Sequence, residues 1–380
     1  MPEILDVGDG SQDALLVRVE SGGIVGWGEC ETSPLTSIAS AVTPMSHSAC
    51  KPVLASVLGQ RFDNPSDIVR IGDLVRANSF DQLQMDHTLS GIDIALWDLM
   101  GKRLGEPAWR LAGYRSSCRK RPYASALFGA TDTETYRKVS EIRAAGFTAV
   151  KLGWGSYGRS TVKDDTEQVL AAREALGADG ILLVDAGTAF GENVGSAYER
   201  LSALAEAKVH WFEEPFHNYA IDAYRQLARS EPCVALAGGE GSHNFHQALQ
   251  MMRHGGVKFI QVDTGRIGGI TVANQVAKVA APLGVTYVNH TFTSGLALAA
   301  SLVPFAGLAD DVICEYPVEP RSLARDIAGN PFPRDADGMI ALNDQPGLGV
   351  EVDVNALQKY LVPMEIQIGG KVLYRTPVLR

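Results

Sequence analysis

Residues 181–187 read ILLVDAG. Four aliphatic residues run without alternation until a carboxylate and two small residues stop them. A continuous apolar run of this length reads as a strand buried on both faces, as in a parallel sheet. Its last polar residue, Asp185, stands where such a strand would leave the core. The same form recurs along the chain at PYASAL (122–127), AVKL (149–152), HWFEEP (210–215), VALAGGE (234–240), KFIQVDT (258–264), TYVNHT (286–291) and VICEY (312–316). Between these runs lie segments with apolar residues at helical spacing, such as ETYRKVSEIRAAG (134–146) and TVANQVAKVAAPLG (271–284). Eight strands alternating with seven helices predict an α/β fold, a (β/α)7β TIM-like barrel rather than an open sheet.

The chain before the barrel has a different rhythm. DALLVRVES and GIVGWGE are apolar runs separated by Gly22-Gly23, which predicts a hairpin. Little precedes DALLVRVES that would form an earlier strand. SGIDIALWDLMGKRLG (90–105) predicts a helix opening with a capping-box-like Ser90 and Asp93 and closing at Lys102-Arg103 and Gly105. The expected organisation is an α+β capping domain over 1–120 and the barrel over 121–332. A Pro- and Gly-rich segment, 333–380, is expected to return to the small domain.

Composition narrows the function classes. Of 380 residues, 46% are hydrophobic, which suffices for a large core. The formal net charge of −10 argues against a nucleic-acid surface, but not against an anionic small molecule met by a few local cations. The five cysteines (Cys30, Cys50, Cys118, Cys233, Cys314) are scattered and form no CxxC pair; they predict reduced thiols in a cytoplasmic protein. No signal peptide is expected. The most apolar segment, residues 296–309, is too short to span a bilayer and reads as a core helix, so no membrane partner is expected.

Seven consecutive strands end in ionisable groups: Lys151, Asp185, Glu213 with Glu214, Glu240, Asp263, His290 and Glu315. A lone aspartate there is most often a helix cap, and a lone histidine a satisfied core residue. Glu214 alone reads as a supporting or solvated group. The whole set is hard to obtain by packing, because buried charges need partners. In a barrel these groups converge on one mouth, at the C-terminal ends of the strands. Asp185, Glu213 and Glu240, from adjacent strands, would repel one another unless a cation sat between them, and an all-oxygen set favours Mg²⁺ or Mn²⁺. Asp263 can orient His290 as a general base. Lys151 can neutralise a carboxylate, and Glu315, when protonated, can donate to a developing oxyanion. Such a set can remove the proton next to a carboxylate through an ene-diolate.

At this point the chain resembles the enolase superfamily, and within it the mandelate racemase/muconate lactonizing enzyme family. SGIDIALWDLMGKRLGEPAWRLAG is similar to that family's capping-domain signature. VDAG, FEEP and GGE resemble its three metal-ligand motifs, which places Asp185, Glu213 and Glu240 on the metal. QVDTGRIGG and VNHTFTSG resemble its Asp–His dyad, and CEY its carboxylate-binding glutamate. The resemblance implies Mg²⁺, a homo-oligomer, and a polar loop near 32–47 that closes over the mouth. Thr36, His47 and Ser48 belong to that region without an assigned contact.

Two departures stand out. The family's Lys-x-Lys, whose second lysine is a general base, is here Lys151-Leu152-Gly153, which argues against a two-base racemase. Gly187 stands where the family commonly has an asparagine. The gap at Gly153 is expected to leave room beside Trp154 for a larger substrate. Trp154 and Tyr157 are candidates both for the pocket wall and for packing. The leading functional expectation is dehydration of an acid sugar to a 2-keto-3-deoxy acid. The alternatives are cycloisomerisation of a sugar-acid lactone or anhydro-sugar acid with the same base, and a binding barrel without turnover.

Overall fold

The computed structural model describes residues 2–9, 12–30, 33–46, 49–230, 232–308 and 312–379. Strands β1 (Pro2–Gly8), β2 (Asp13–Ser21) and β3 (Ile24–Cys30) form an antiparallel sheet in that order. β1 corrects the expectation that no strand precedes DALLVRVES: it pairs with β2 along its whole length, from Pro2 opposite Val19 to Gly8 opposite Asp13. PEILDVG is a weak strand signal alone, broken by Pro2 and Asp6. The ladder offered by β2 and the burial of Ile4, Leu5 and Val7 decide it.

Helices α1 (Pro34–Val42), α2 (Val53–Val57), α3 (Pro65–Ser79), α4 (Met85–Leu104) and α5 (Ala108–Leu111) follow. α4 lies directly on β3. A Cβ on Gly26 or Gly28 would fall within 2.2 Å of a carbonyl oxygen of α4, so only glycine allows this approach. α4 ends as the sequence predicts, at Gly105 in the left-handed conformation (φ 69°). Its start differs. The helix begins at Met85, and Ser90 and Asp93 are buried in mid-helix. The Ser90 hydroxyl donates to the Asp86 carbonyl (2.7 Å) and accepts from the Gly268 N–H (2.8 Å), while Asp93 accepts from the Thr271 N–H (3.0 Å). The apparent capping signal is thus a polar joint to the barrel.

The barrel strands are β4 (Lys120–Leu127), β5 (Ala149–Gly153), β6 (Ile181–Asp185), β7 (Trp211–Glu213), β8 (Ala235–Gly238), β9 (Phe259–Asp263), β10 (Thr286–His290) and β11 (Val312–Pro317). They form one parallel sheet in the order β10-β9-β8-β7-β6-β5-β4-β11. The connecting helices are α6 (Asp132–Ala144), α7 (Val162–Leu176), α8 (Val194–Tyr198), α9 (Leu201–Glu206), α10 (Ile221–Arg229), α11 (Phe245–Gln250), α12 (Gly269–Ala280) and α13 (Gly295–Leu302). Between β6 and β7 the helical stretch is split into α8 and α9, and α11 runs on into a π turn, Met251–Gly255. After β11 come α14 (Ser322–Ala328), α15 (Val354–Leu357) and the hairpin β12 (Glu365–Ile368) with β13 (Lys371–Arg375).

Among the described residues, β10 and β11 meet without a backbone ladder between them. The side chain of Asn289 bridges the gap. Its Oδ1 accepts from the Glu315 N–H (2.8 Å) and its Nδ2 donates to the Glu315 carbonyl (3.3 Å). Inside the barrel, Tyr123, Leu183, Trp211 and Val288 form a packed floor, with Tyr123 and Trp211 edge to face at 5.6 Å. The C-terminal segment reaches both parts: the Lys120 N–H donates to the Ile340 carbonyl (2.7 Å), and the Gly8 N–H to the Tyr360 carbonyl (2.9 Å). Among the described residues no helix is long and apolar enough to cross a membrane, and no disulfide joins any of the five cysteines.

Candidate active site

Strand register places the site. Gly153 pairs with Asp185, Asp185 with Glu213, and Asp263 with His290. Residues at the last position of neighbouring strands therefore stand level at one end of the barrel. Glu240 follows the end of β8, and Lys151 and Glu315 lie on β5 and β11. Lys151, Asp185, Glu213, Glu240, Asp263, His290 and Glu315 are all buried and gather above the Tyr123–Trp211 floor.

Asp185, Glu213 and Glu240 each offer a carboxylate oxygen within 4.8 Å of the others. Burial, opposed by Lys151 and reinforced by Glu240 and Glu214, raises Asp185 to about 7. Burial, again opposed by Lys151 and reinforced by Asp185, raises Glu213 to about 8. Glu240 goes the other way. Burial would raise it, but the charges of His290, Arg266 and Lys151 together bring it to about 2. A buried all-oxygen cluster with this much like-charge repulsion fits a hard divalent cation.

Lys151 is 3% exposed, and its ammonium lies 2.7 Å from Glu213 Oε1 and 2.8 Å from Glu315 Oε1. Burial would lower its pKa, but Glu213 and Glu315 overcome that and hold it well above the usual lysine value. Both oxygens of Glu315 are engaged as acceptors, since Oε2 takes the Thr291 N–H at 2.8 Å. His290 Nδ1 is 2.7 Å from Asp263 Oδ2, and its Nε2 is 3.2 Å from Glu240 Oε2. The other Asp263 oxygen accepts the Gly265 N–H at 2.7 Å, which fixes the carboxylate. Burial would lower the pKa of His290, but Glu240, Glu315 and Asp263 raise it to about 10.

A cavity of about 500 Å³ opens onto this cluster. Asp185, Glu240 and His290 line its floor, and Trp154, Phe292 and Arg321 stand in its wall. Gln12, from the loop between β1 and β2, also lines it, so the N-terminal sheet contributes to the mouth. The two aromatic candidates separate cleanly. Trp154 is 48% exposed in the cavity wall, whereas Tyr157 is 1% exposed and stacks on Phe128 at 5.0 Å.

Three expectations change. Glu214 is not solvated. It is buried against the cluster in a left-handed backbone conformation (φ 37°), and its Oε1 has no partner among the described residues. Burial, with Glu240 and Glu213, raises it to about 8. Gly153 and Trp154 both line the cavity, but Gly153 leaves no room for a side chain of its own, because a Cβ there would lie 2.6 Å from Asp185 Oδ2 and 3.0 Å from its Cβ. The region expected to be a polar loop is partly α1, where the Thr36 hydroxyl donates to the Ser33 carbonyl (2.8 Å); Thr32, His47 and Ser48 lie outside the described residues.

Sequence reasoning passed over Arg266, whose Nη1 is 3.2 Å from Glu240 Oε1, and Trp211, whose Nε1 donates to Glu213 Oε2 at 2.9 Å. A signal for both was present. Trp211 stands two residues before Glu213, the spacing that puts strand residues on one face, and Arg266 lies in the turn directly after Asp263 at the mouth end of β9.

Comparison with known proteins agrees with this geometry. Residues 7–113 match the mandelate racemase/muconate lactonizing enzyme N-terminal domain, and residues 134–356 the enolase C-terminal domain-like family. A D-galactarolactone cycloisomerase of Agrobacterium fabrum is 32% identical over 92% of this chain and 91% of its own length. A D-gluconate dehydratase of Thermoproteus tenax is 31% identical over 74% of this chain and 58% of its own length. The crystal structure of a predicted mandelate racemase from Rhodobacter sphaeroides superposes with a TM-score of 0.94 at 54% identity, covering 100% of this chain and 99% of that one. A mandelate racemase/muconate lactonizing protein from Paracoccus denitrificans, complexed with magnesium, superposes with a TM-score of 0.79 at 28% identity, covering 95% and 97%. On its two matched domains, its barrel and its buried acidic triad, this chain belongs to the mandelate racemase/muconate lactonizing enzyme family of the enolase superfamily.

Proposed function

We propose that the protein removes the proton next to the carboxylate of a sugar-acid lactone and expels the ring oxygen, a cycloisomerisation. The observation that carries this reading is the one-sidedness of the mouth. An imidazole held by Asp263 stands at the end of β10, while β5 ends in Gly153, with no acid or base at that position. Asp185, Glu213 and Glu240 would hold Mg²⁺, which when bound draws negative charge off the substrate carboxylate and acidifies the neighbouring proton.

The remaining steps belong to the chain's own groups. Glu240 carries the charge that most raises His290, and a divalent cation held there would offset it. The neutral imidazole would then take the α-proton on Nε2, while Asp263 accepts from Nδ1–H and steadies the imidazolium that forms. Lys151 neutralises the substrate carboxylate; Glu315, whose two oxygens accept from Lys151 and from the Thr291 N–H, orients Lys151 rather than donating a proton as its position in the sequence suggests. The carbon–oxygen bond at the β-carbon then breaks. A lactone ring oxygen departs as a carboxylate and needs no proton, so one base suffices. The enol product regains a proton at the β-carbon and becomes a keto acid of unchanged mass. The match to the A. fabrum cycloisomerase, which includes the capping region, supports this choice.

Dehydration of an open-chain acid sugar is the second reading, favoured by the D-gluconate dehydratase relative and by the capacity of His290 to return its proton to a departing hydroxyl on the same face. The two differ in mass balance. Incubation with Mg²⁺ and a panel including D-galactarolactone and D-gluconate, in D₂O, is expected to give α-proton exchange and a keto acid isomeric with the lactone. A product lighter by one water selects dehydration. If no acid sugar or lactone exchanges its α-proton while Mg²⁺ still binds, both enzyme readings fail.

A further inference from the structure

We infer that Trp154 is the platform on which the carbon face of a cyclic substrate lies, opposite His290, and so a specificity-determining residue of this site. The inference rests on the proposed function for the identity of the ring, but its geometric support is separate. Trp154 has φ 55°, a left-handed conformation that side chains other than glycine, asparagine and aspartate seldom adopt. It directly follows Gly153 at the end of β5, and Gly155 after it is also left-handed (φ 67°). The chain thus turns sharply as it leaves the barrel.

The indole lies against Gly187. A Cβ on that residue would come within 2.9 Å of Trp154 Cδ2 and 3.0 Å of Cε2. A side chain at 187 and the indole as placed therefore exclude each other. The Arg159 guanidinium lies 5.6 Å from the ring centroid. Both departures from the family pattern consequently border one side chain: Gly153 precedes Trp154, and Gly187 gives its ring a seat.

Packing alone does not account for the arrangement. Tyr157, three residues on, is fully buried on Phe128, whereas Trp154 remains half exposed in the wall of the cavity that holds Asp185 and His290. An indole face is electron-rich and attracts the weakly positive C–H groups of a sugar ring. β5 and β10 are separated by two strands on one way round the barrel, β4 and β11, and by four on the other. A ring resting on Trp154 would thus turn its other face toward His290. That arrangement favours a cyclic substrate over a short open-chain acid.

The test uses the His290→Asn protein with saturating Mg²⁺, so that binding is read without turnover. Calorimetric titration with D-galactarolactone probes the ring, and glycolate, a hydroxy acid with no ring, probes the metal and carboxylate contacts alone. Adding Trp154→Ala should weaken lactone binding about five- to tenfold and leave glycolate within about twofold, with Trp154→Phe in between. Equal weakening of both ligands would make Trp154 structural and overturn the inference. So would unchanged lactone binding, or a parent protein that binds the lactone no more tightly than glycolate. Loss of α-proton exchange in the protein with His290 intact would instead refute the proposed reaction, while Trp154-dependent lactone binding would stand.

Discussion

The two sides of the barrel mouth are built to opposite specifications. At the ends of β9 and β10, Asp263 and His290 stand level in register, 2.7 Å apart, with the outer carboxylate oxygen tied to the Gly265 N–H. At the ends of β5 and β6, Gly153 stands level with Asp185, and the next residue is a half-exposed tryptophan. One side can move a proton; the other presents a surface. A barrel that repeats the same strand–helix unit need not repeat the same chemistry, because each strand end is chosen independently while the register keeps all of them at one height.

The difference can be broken from the catalytic side first. His290→Asn should lower kcat by about 10³-fold while Mg²⁺ binding by calorimetry persists, as expected for loss of a general base. A variant with kcat within about tenfold of the parent would place the base elsewhere. Asp263→Asn should cost less, about 10- to 100-fold, because the imidazole remains but its tautomer is no longer held. The accompanying signature is a displaced acidic limb in the pH profile of kcat/KM, and an unmoved limb would argue against the dyad.

On the opposite side, Gly153→Lys tests whether the missing side chain can be put back. Its Cβ would collide with Asp185, so the expected result is Mg²⁺ affinity reduced about tenfold or more, with no racemisation. Appearance of racemised substrate in deuterated solvent would show that the mouth accepts a second base after all. The smallest effect is expected at the joint beneath the mouth. Thr271→Val removes the hydroxyl that accepts from Trp97 Nε1 (2.9 Å) and donates to Asp93 Oδ2, and should cost about 1–3 kcal/mol in denaturant unfolding. The folded variant should keep kcat within about twofold. A large kcat loss without loss of stability would mean that the joint also tunes the site.

The barrel was readable because each parallel strand is buried on both faces and must be apolar until it ends; ILLVDAG and HWFEEP announce their own boundaries. The acidic triad and the Asp–His pair were readable for the same reason, since a charge that closes such a run must meet either water or a partner as the strand leaves the core. What escaped depended on contacts between distant segments. Ser90 and Asp93 have the spacing of a cap, and only their partners Gly268 and Thr271 show them to be a joint. Gly153 looks empty until Asp185 is placed beside it. Glu214 is adjacent to Glu213 in sequence, and its burial follows from a left-handed backbone that its own neighbours do not encode.

The Asn289 bridge between β10 and β11 has a consequence for how precisely this mouth is gauged. Elsewhere around the sheet, neighbouring strands are spaced by the peptide group, which is the same for every sequence. At this seam the spacer is a side chain, so the separation of the strands that bear His290 and Glu315 is set by the reach of a single carboxamide. Aspartate has the same length but would turn an oxygen toward the Glu315 carbonyl. Glutamine keeps the chemistry but adds a methylene to the ruler. The position is therefore expected to tolerate neither charge nor length, although its side chain bonds to Glu315 and Ser301 rather than to the Asp185–Glu213–Glu240 cluster.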